Sequence, residues 1–163
     1  MEVSIEQRTR TRAQLPPFWS LVEAHGSELL AHARRLAGDD AEDVVQEALL
    51  KALRSYPRLA HSEHLRAWLY RVTTTTAFDL RARERRAGAT PAPAAGSVQL
   101  FADEVAPFEE LIEPLSPALK KTLELRFVED LRYEEIGRRL GCNETAARQR
   151  VSSALRALRR RMT

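Results

Sequence analysis

The sequence has little cysteine, little glycine and no long apolar run. Its one cysteine, Cys142, excludes an internal disulfide and a cysteine-based zinc site. Its six glycines form neither of the glycine-rich patterns that cradle nucleotide phosphates. The apolar runs are short and interrupted by charge, and the first residues lack the apolar stretch of a signal peptide. A cytoplasmic protein without membrane insertion, metal or cofactor is therefore expected.

The charge is distributed unevenly along the 163 residues. The net charge of the whole chain is +3, but residues 1–86 carry +2, residues 87–110 carry −4 and residues 111–163 carry +5. An apolar fraction of 44% is ordinary for a folded protein and suits one medium domain or two small ones. The basic C-terminal part suits a polyanionic partner, although many solvated faces are also charged.

The apolar spacing predicts helices and no strands, so the expected fold class is all-α. A first helix is predicted from about Phe18 to Ala37, ending at Gly38. A third begins near Glu63 and buries Trp68 along one stripe. The second helix lies between them and has apolar residues at helical spacing, namely Ala41, Val44, Val45, Ala48, Leu49, Ala52 and Leu53.

The composition changes abruptly at Ala87 and divides the chain into two small helical domains. The stretch AGATPAPAAGS is too rich in proline, glycine and alanine for a packed element, so residues 87–110 are predicted to be a flexible acidic linker. Residues 1–15 are expected to be a flexible basic tail, and residues 16–86 the first domain. Residues 111–163 form the second, with helices at about 117–128, 132–140 and 145–160.

The last two helices are predicted to form a helix-turn-helix, because only GCNE separates them. Gly141 can adopt the left-handed conformation that ends one helix, and Asn143 or Glu144 can cap the next. The outer face of the second helix carries groups that can bond base edges in the major groove, although a solvated face is the alternative. The candidate residues are Asn143, Glu144, Thr145, Arg148, Gln149, Arg150, Ser152, Ser153 and Arg156.

Three smaller features allow more than one interpretation. The terminal Arg159, Arg160 and Arg161 could touch phosphates or remain a solvated basic end. Cys142 is interpreted as a small core residue in preference to a redox sensor. His61 and His64 lack a third ligand, so no metal site is predicted.

Two longer stretches together resemble a known family. They are DDAEDVVQEALLKALRSYPRL…HLRAWLYRVTTTTAFDLRARERR and, past the linker, LSPALKKTLELRFVEDLRYEEIGRRLGCNETAARQRVSSALRALR. The chain resembles the extracytoplasmic-function (ECF, group IV) sigma factors of bacterial RNA polymerase, which belong to the sigma-70 family. The resemblance implies that residues 16–86 form sigma region 2 and that residues 111–163 form region 4. It also implies a factor without catalytic residues that directs promoter-specific initiation.

The resemblance implies that the second helix binds the clamp helices of the largest polymerase subunit. The resemblance also implies the polymerase flap as a contact surface. The residues implied on the second helix and just before it are Asp40, Glu42, Asp43, Gln46, Glu47 and Lys51. Without the resemblance, the same face is interpreted as an ordinary solvated surface with a Glu47–Lys51 ion pair.

The third helix and the loop before it correspond to the segment that melts the minus ten element and holds its single strand. The residues implied are His61, Ser62, His64, Arg66, Arg71, Thr74, Thr75, Asp79, Arg81 and Arg85. Arginines supply cations for a single strand. Relatives often carry an Arg-Asn pair where this chain has Thr74 and Thr75, which are either DNA-facing hydroxyls or packed residues. Trp68 is assigned to the core, and Tyr70 is left open between core and DNA.

A different class of function remains an alternative at this stage. A stand-alone helix-turn-helix regulator would use the first domain to dimerise and would bind a palindromic site. A nuclease or deaminase would need a metal constellation that the sequence lacks. Relatives are often held by an anti-sigma factor, so such a protein joins polymerase and promoter DNA, both duplex and single-stranded, among the candidate partners.

Overall fold

The computed structural model describes residues 15–59, 63–89 and 108–162. Within those residues the chain is helical and contains no strand, which confirms the all-α prediction. Two short 3-10 turns, Gly38–Asp40 and Tyr56–Arg58, flank the second helix. The described residues form seven α-helices, namely α1 (Phe18–Ala37), α2 (Ala41–Ser55), α3 (Leu65–Ala89), α4 (Phe108–Ile112), α5 (Pro117–Phe127), α6 (Tyr133–Leu140) and α7 (Glu144–Met162).

The first unit packs α1, α2 and α3 against one another. Helix α1 ends where the sequence predicts, because Gly38 adopts a φ of 57° that L residues rarely reach. At the opposite end, the ring of Tyr56 packs between those of Phe18 and Trp68. The prediction that Trp68 belongs to the core is consistent with this contact.

The apolar stripe of α2 is narrower than the sequence pattern predicts. Ala41, Val44, Ala48 and Ala52 are buried as expected. Leu53, in contrast, is 50% exposed, so its assignment to the buried stripe is wrong. The small alanines bring α2 close to its neighbours. Leu53 lies beside this stripe and is left outside the contact.

The four threonines of α3 are all buried and bond to the backbone of their own helix. Their hydroxyls donate to the carbonyl oxygens four residues earlier, for example from Thr74 to Tyr70 at 2.7 Å and from Thr75 to Arg71 at 3.0 Å. Thr74 is 0% exposed and Thr75 is 4% exposed. The back-bonds satisfy the hydroxyls without water, which allows a sequence of poor helix formers to remain helical in the core.

The second unit contains α4 to α7, and its first helix lies inside the stretch predicted to be a linker. Phe108 and Ile112 of α4 are buried in the core. At the other end of that stretch, α3 continues to Ala89. The predicted linker bounds of 87–110 are therefore too wide on both sides, because buried apolar residues in α4 and continued helix in α3 extend the folded units. Residues 90–107, like residues 1–14, lie outside the described residues.

The two units share one hydrophobic core. Ala33, Leu36, Ala37, Val44 and Ala77 of the first unit join a cluster with apolar residues of the second unit. Those residues are Phe108, Ile112, Leu123, Leu125, Phe127, Ile136, Ala147, Val151, Ala154, Leu155 and Leu158. The units are thus packed against each other in what we call the closed form.

Phe127, at the end of α5, lies at the centre of this junction. Its ring stacks on Tyr70 with centroids 5.4 Å apart and lies 5.3 Å from the ring of His32. Its carbonyl oxygen accepts a hydrogen bond from Arg71. Tyr70, left open by the sequence, is therefore part of the junction core.

Among the described helices, none is long and apolar enough to cross a membrane. The described residues also include no group of three or more histidine, cysteine, aspartate or glutamate side chains placed to hold a metal ion.

Candidate nucleic-acid and polymerase interfaces

Helices α6 and α7 form the predicted helix-turn-helix. Gly141 ends α6 in the left-handed conformation, with φ 68° and ψ 36°. The amide of Ala146 donates to Asn143 Oδ1 at 2.8 Å, so Asn143 caps the start of α7. The sequence identified Gly141 and left the cap open between Asn143 and Glu144, and the structure selects Asn143.

The angle between α6 and α7 depends on a close approach at Gly137. Its carbonyl oxygen accepts a hydrogen bond from the amide of Cys142 at 2.8 Å. A Cβ on Gly137 would lie only 2.5 Å from the carbonyl oxygen of Cys142. Since that neighbour is backbone, it cannot move aside without opening the turn.

Replacing Gly137 with alanine is expected to destabilise the protein by about 1 to 3 kcal/mol, because the added methyl group overpacks the turn. Urea unfolding measures the change. Gly26→Ala is the matched control: nothing lies within 4 Å of its added Cβ in the middle of α1. Alanine there should stabilise by up to about 1 kcal/mol. Equal stability of Gly137→Ala and the unaltered protein would contradict the close approach.

The outer face of α7 is accessible along most of its length. Among the predicted DNA-binding residues, Ser152 and Ser153 are half-buried, and the others are exposed, namely Asn143, Glu144, Thr145, Arg148, Gln149, Arg150 and Arg156. Arg148 pairs with Glu144 at 2.9 Å, and Arg156 donates to Ser153 Oγ at 3.0 Å. These interactions hold the two arginines on the face that would enter a DNA groove.

Seven of the ten candidate minus ten residues divide into three groups in the structure. His61 and Ser62 lie outside the described residues. Arg85 is exposed. Arg81, in contrast, forms an ion pair with Asp40 at 3.7 Å, and Asp79 forms one with Lys51 at 3.3 Å. These pairs connect α3 to the acidic side of α2. His64 and Arg66 form the third group, at the junction with the second unit, where both lie within 4.0 Å of Asp130.

Three of the candidates are not available to DNA in the closed form. The hydroxyls of Thr74 and Thr75 are buried and bonded to backbone carbonyls, so their assignment as DNA-facing groups is corrected to core packing. Arg71 is half-buried because its guanidinium reaches across to Phe127 of the second unit. The sequence could not distinguish these roles, since hydroxyl and guanidinium groups serve either purpose.

The predicted polymerase-binding residues on α2 lie away from its buried alanines, and Asp40 ends the 3-10 turn before the helix. Glu42, Asp43 and Gln46 are exposed, and Asp40, Glu47 and Lys51 are half-exposed. Leu50 and Leu53 are exposed on the same helix, at 46% and 50%. Asp43, Gln46, Leu50 and Leu53 follow one helical face at i, i+3, i+7 and i+10, a spacing that could have revealed an exposed apolar pair.

A cavity of about 250 Å³ lies between the two units. We call it the arginine cleft, because Arg35 and Arg66 of the first unit and Arg126 and Arg148 of the second line it. Arg66 is salt-bridged to Glu28 at 2.8 Å. Sequence reasoning missed Arg35 and Arg126, since no motif marks residues that converge only through tertiary packing.

His32 lies at the floor of the arginine cleft. Its Nε2 is 2.7 Å from Thr74 Oγ1, whose own proton is donated to Tyr70, so the neutral ring donates through Nε2. Burial, with the positive charges of Arg35 and Arg126 adding to it, lowers the pKa of His32 from 6.5 to about 3. The histidine is therefore uncharged at neutral pH.

A helix-turn-helix with a basic second helix, packed on a helical unit with an exposed acidic face, defines a DNA-binding transcription protein with a separate protein-docking surface. Known families match both units: Sigma-70 region 2 matches residues 21–87, and Sigma-70 region 4 matches residues 106–158. The chain belongs to the sigma-70 family. Its similarity to extracytoplasmic-function relatives places it in that group.

The chain is also similar to curated sigma factors. The chain is 28% identical to the RNA polymerase sigma factor SigV of Bacillus subtilis over 77% of both chains. It is 29% identical to the ECF RNA polymerase sigma factor SigE of Mycolicibacterium smegmatis over 93% of this chain and 63% of the relative. A 44% identity to SigG of Mycobacterium tuberculosis covers 42% of this chain and only 20% of that relative.

A solved structure is also similar, that of the sigma factor RpoE in complex with the anti-sigma factor NepR from Bartonella quintana. It is 24% identical, with a TM-score of 0.45 over 89% of this chain and 95% of that chain.

Proposed function

We propose that this chain is an alternative sigma factor that binds core RNA polymerase and directs initiation at a specific class of promoters. Helix α2 would dock on the clamp helices of the polymerase, and the second unit on its flap. Helix α3 and the preceding loop would hold the melted minus ten strand, while α7 reads the minus thirty-five duplex. The matched sigma regions on both sides disfavour a stand-alone regulator.

The observation that carries the docking proposal is the two-sided character of α2. Its alanines and Val44 are buried in the first unit. Its opposite side exposes carboxylates, an amide and two leucines at helical spacing. Acceptors beside apolar side chains suit a basic, amphipathic partner helix. The leucines would supply apolar area to bury, and the carboxylates would orient the partner helix through charge pairs.

The closed form cannot read both promoter elements together. Arg66, a minus ten candidate, and Arg148, a minus thirty-five candidate, line the same cleft of about 250 Å³. Two DNA elements only one helical turn apart are already separated by ~34 Å. We therefore propose that the units separate when the protein engages polymerase and promoter.

Family members regulate transcription and do not catalyse a reaction, and we propose the same for this chain. Binding energy would be used to hold an opened strand and not to form or break a bond. Because polymerase and promoter are its proposed partners, we propose a cytoplasmic location.

The test is a binding assay with purified core polymerase, followed by run-off transcription from a promoter-fragment library with this protein as the only added factor. Specific transcripts that share two upstream elements support the proposal. Duplex DNA binding without polymerase binding would identify a stand-alone regulator instead.

Replacing Arg148 with alanine should weaken binding to one minus thirty-five sequence by about 1 to 3 kcal/mol, because a guanidinium can bond guanine at two points. Competition binding against sequence variants measures this discrimination, and polymerase association should be unchanged. Arg138→Ala is the control, since Arg138 also pairs with a glutamate one turn earlier but lies on α6. Equal loss on every DNA sequence would rule out base reading by Arg148.

A further inference from the structure

The arginine cleft contains more positive charge than its carboxylates compensate. Four guanidinium groups line it, two from each unit, and Glu28 is the one carboxylate among its lining residues. Arg66 is paired with Glu28 and Arg148 with Glu144. Within the described residues, Arg35 and Arg126 have no carboxylate oxygen within the 4.0 Å that defines an ion pair.

Arg126 is the most constrained of the four. It is only 9% exposed, and its Nη1 donates to the carbonyl of Leu131 at 2.9 Å. The described part of the chain contains no buried, unsatisfied nitrogen of Arg126. Its remaining N–H groups therefore retain access to solvent, and Arg126 lines both the arginine cleft and an adjoining pocket that includes Arg132 and Glu134. A nearly buried guanidinium with free donors is a site for an acceptor of opposite charge.

The aromatic rings around the cleft restrict what that acceptor can be. The guanidinium carbons of Arg126 and Arg148 lie 4.4 Å and 4.5 Å from the centroid of the Tyr133 ring. Tyr70 is stacked on Phe127 and faces Arg66 at 5.2 Å. Because the faces of these rings are occupied, a ligand in the cleft meets hydrogen-bond donors and positive charge and finds no free ring to stack on.

We propose that the arginine cleft binds a phosphate group, from inorganic phosphate or pyrophosphate or from a small phosphomonoester, that bridges the two units. The planar fork of arginine matches phosphate oxygens at two points, and guanidinium groups from both units converge on one cavity. The ligand neutralises the repulsion between Arg35 and Arg126 that closure creates.

The consequence for DNA rests on the proposed function. A phosphate in the cleft engages Arg66 and Arg148, which the proposed function assigns to the two promoter elements. The bound anion therefore favours the closed form and competes with promoter DNA. Phosphate binding itself requires neither polymerase nor DNA and can be measured alone.

Isothermal titration calorimetry of the full chain with pyrophosphate, at constant ionic strength, tests the site. One saturable site is expected. Arg35→Gln should weaken it about tenfold or more, because a charge-assisted bond is lost. Arg34→Gln is the control: Arg34 is exposed on the same helix but does not line the cleft. No saturable heat, or equal weakening by both variants, would overturn the site.

Two further measurements complete the test. Arg126→Lys keeps the positive charge but loses the planar guanidinium fork, so it should also weaken pyrophosphate binding. Thermal unfolding must first show that the variant is folded. Unchanged affinity of the folded variant would overturn the role of Arg126. Glycerol phosphate is titrated separately, and the tighter binder of the two identifies the source of the phosphate.

Competition with promoter duplex separates this inference from the proposed function. Pyrophosphate should displace duplex from the unaltered protein and much less from Arg35→Gln. Equal displacement from both would overturn the regulatory part. Absence of promoter binding even in the presence of core polymerase would contradict the proposed function, while the calorimetry would still decide whether the cleft binds phosphate.

Discussion

Replacing Phe127 with alanine is expected to lower the free energy of unfolding by about 3 to 5 kcal/mol, because a large side chain is removed from a packed core. Phe127 is 3% exposed and contacts rings from both units. The loss should therefore affect the junction as well as the second unit. Chemical unfolding gives the energy, and small-angle X-ray scattering should show a larger radius of gyration.

The control for Phe127→Ala is Leu53→Ala. Leu53 is also a large apolar residue, but it is half-exposed, so its truncation should change stability by no more than about 0.5 kcal/mol. A Phe127→Ala protein that unfolds within 1 kcal/mol of the unaltered protein and keeps its compact dimensions would show that the two units do not share a core.

Reversing the charge at Asp43 is expected to weaken association with core polymerase strongly. Asp43→Arg places a cation where the proposed docking surface presents acceptors, and losing a buried charge pair at an interface costs about 2 to 5 kcal/mol. That corresponds to at least about a 30-fold weaker complex. Because Asp43 is exposed, the fold should be unaffected. Native gel shift or surface plasmon resonance with purified core measures the complex.

Glu23→Arg is the matched control for Asp43→Arg. It makes the same charge change at an exposed residue of the first unit, on α1 instead of α2. Polymerase binding that is unchanged by Asp43→Arg, or reduced equally by both variants, would remove α2 as the docking helix.

Local signals made the helices and the turn predictable from the sequence. Gly38 and Gly141 mark helix ends because each has a positive φ, and Asn143 caps α7 through its side chain. These features depend on a few neighbouring residues. The helix-turn-helix and the bounds of α1 were therefore accessible without tertiary information.

The misassigned residues are those whose environment depends on distant parts of the chain. Leu53 lies at the edge of the apolar stripe of α2 and also on the face of Gln46 and Leu50, and the contacts of the folded protein decide between burial and exposure. Thr74 and Thr75 can face DNA or bond their own helix, and their burial in the folded protein decides between the two, with His32 of α1 beside Thr74. Arg35 and Arg126 are 91 positions apart and meet only when the units close. The site assignments themselves stay predictions until the variants are measured.

The shared core also affects the affinity that a polymerase titration will report. Opening exposes Phe108, Phe127 and the apolar residues around them to water, so separated units form a minor population of the free protein. A partner that accepts only that population binds with an apparent dissociation constant equal to the intrinsic one divided by the open fraction. A substitution that loosens the junction without touching α2 should thus tighten polymerase binding while it lowers stability. The strength of one hydrophobic junction would then set how much of this factor competes for polymerase at a given concentration.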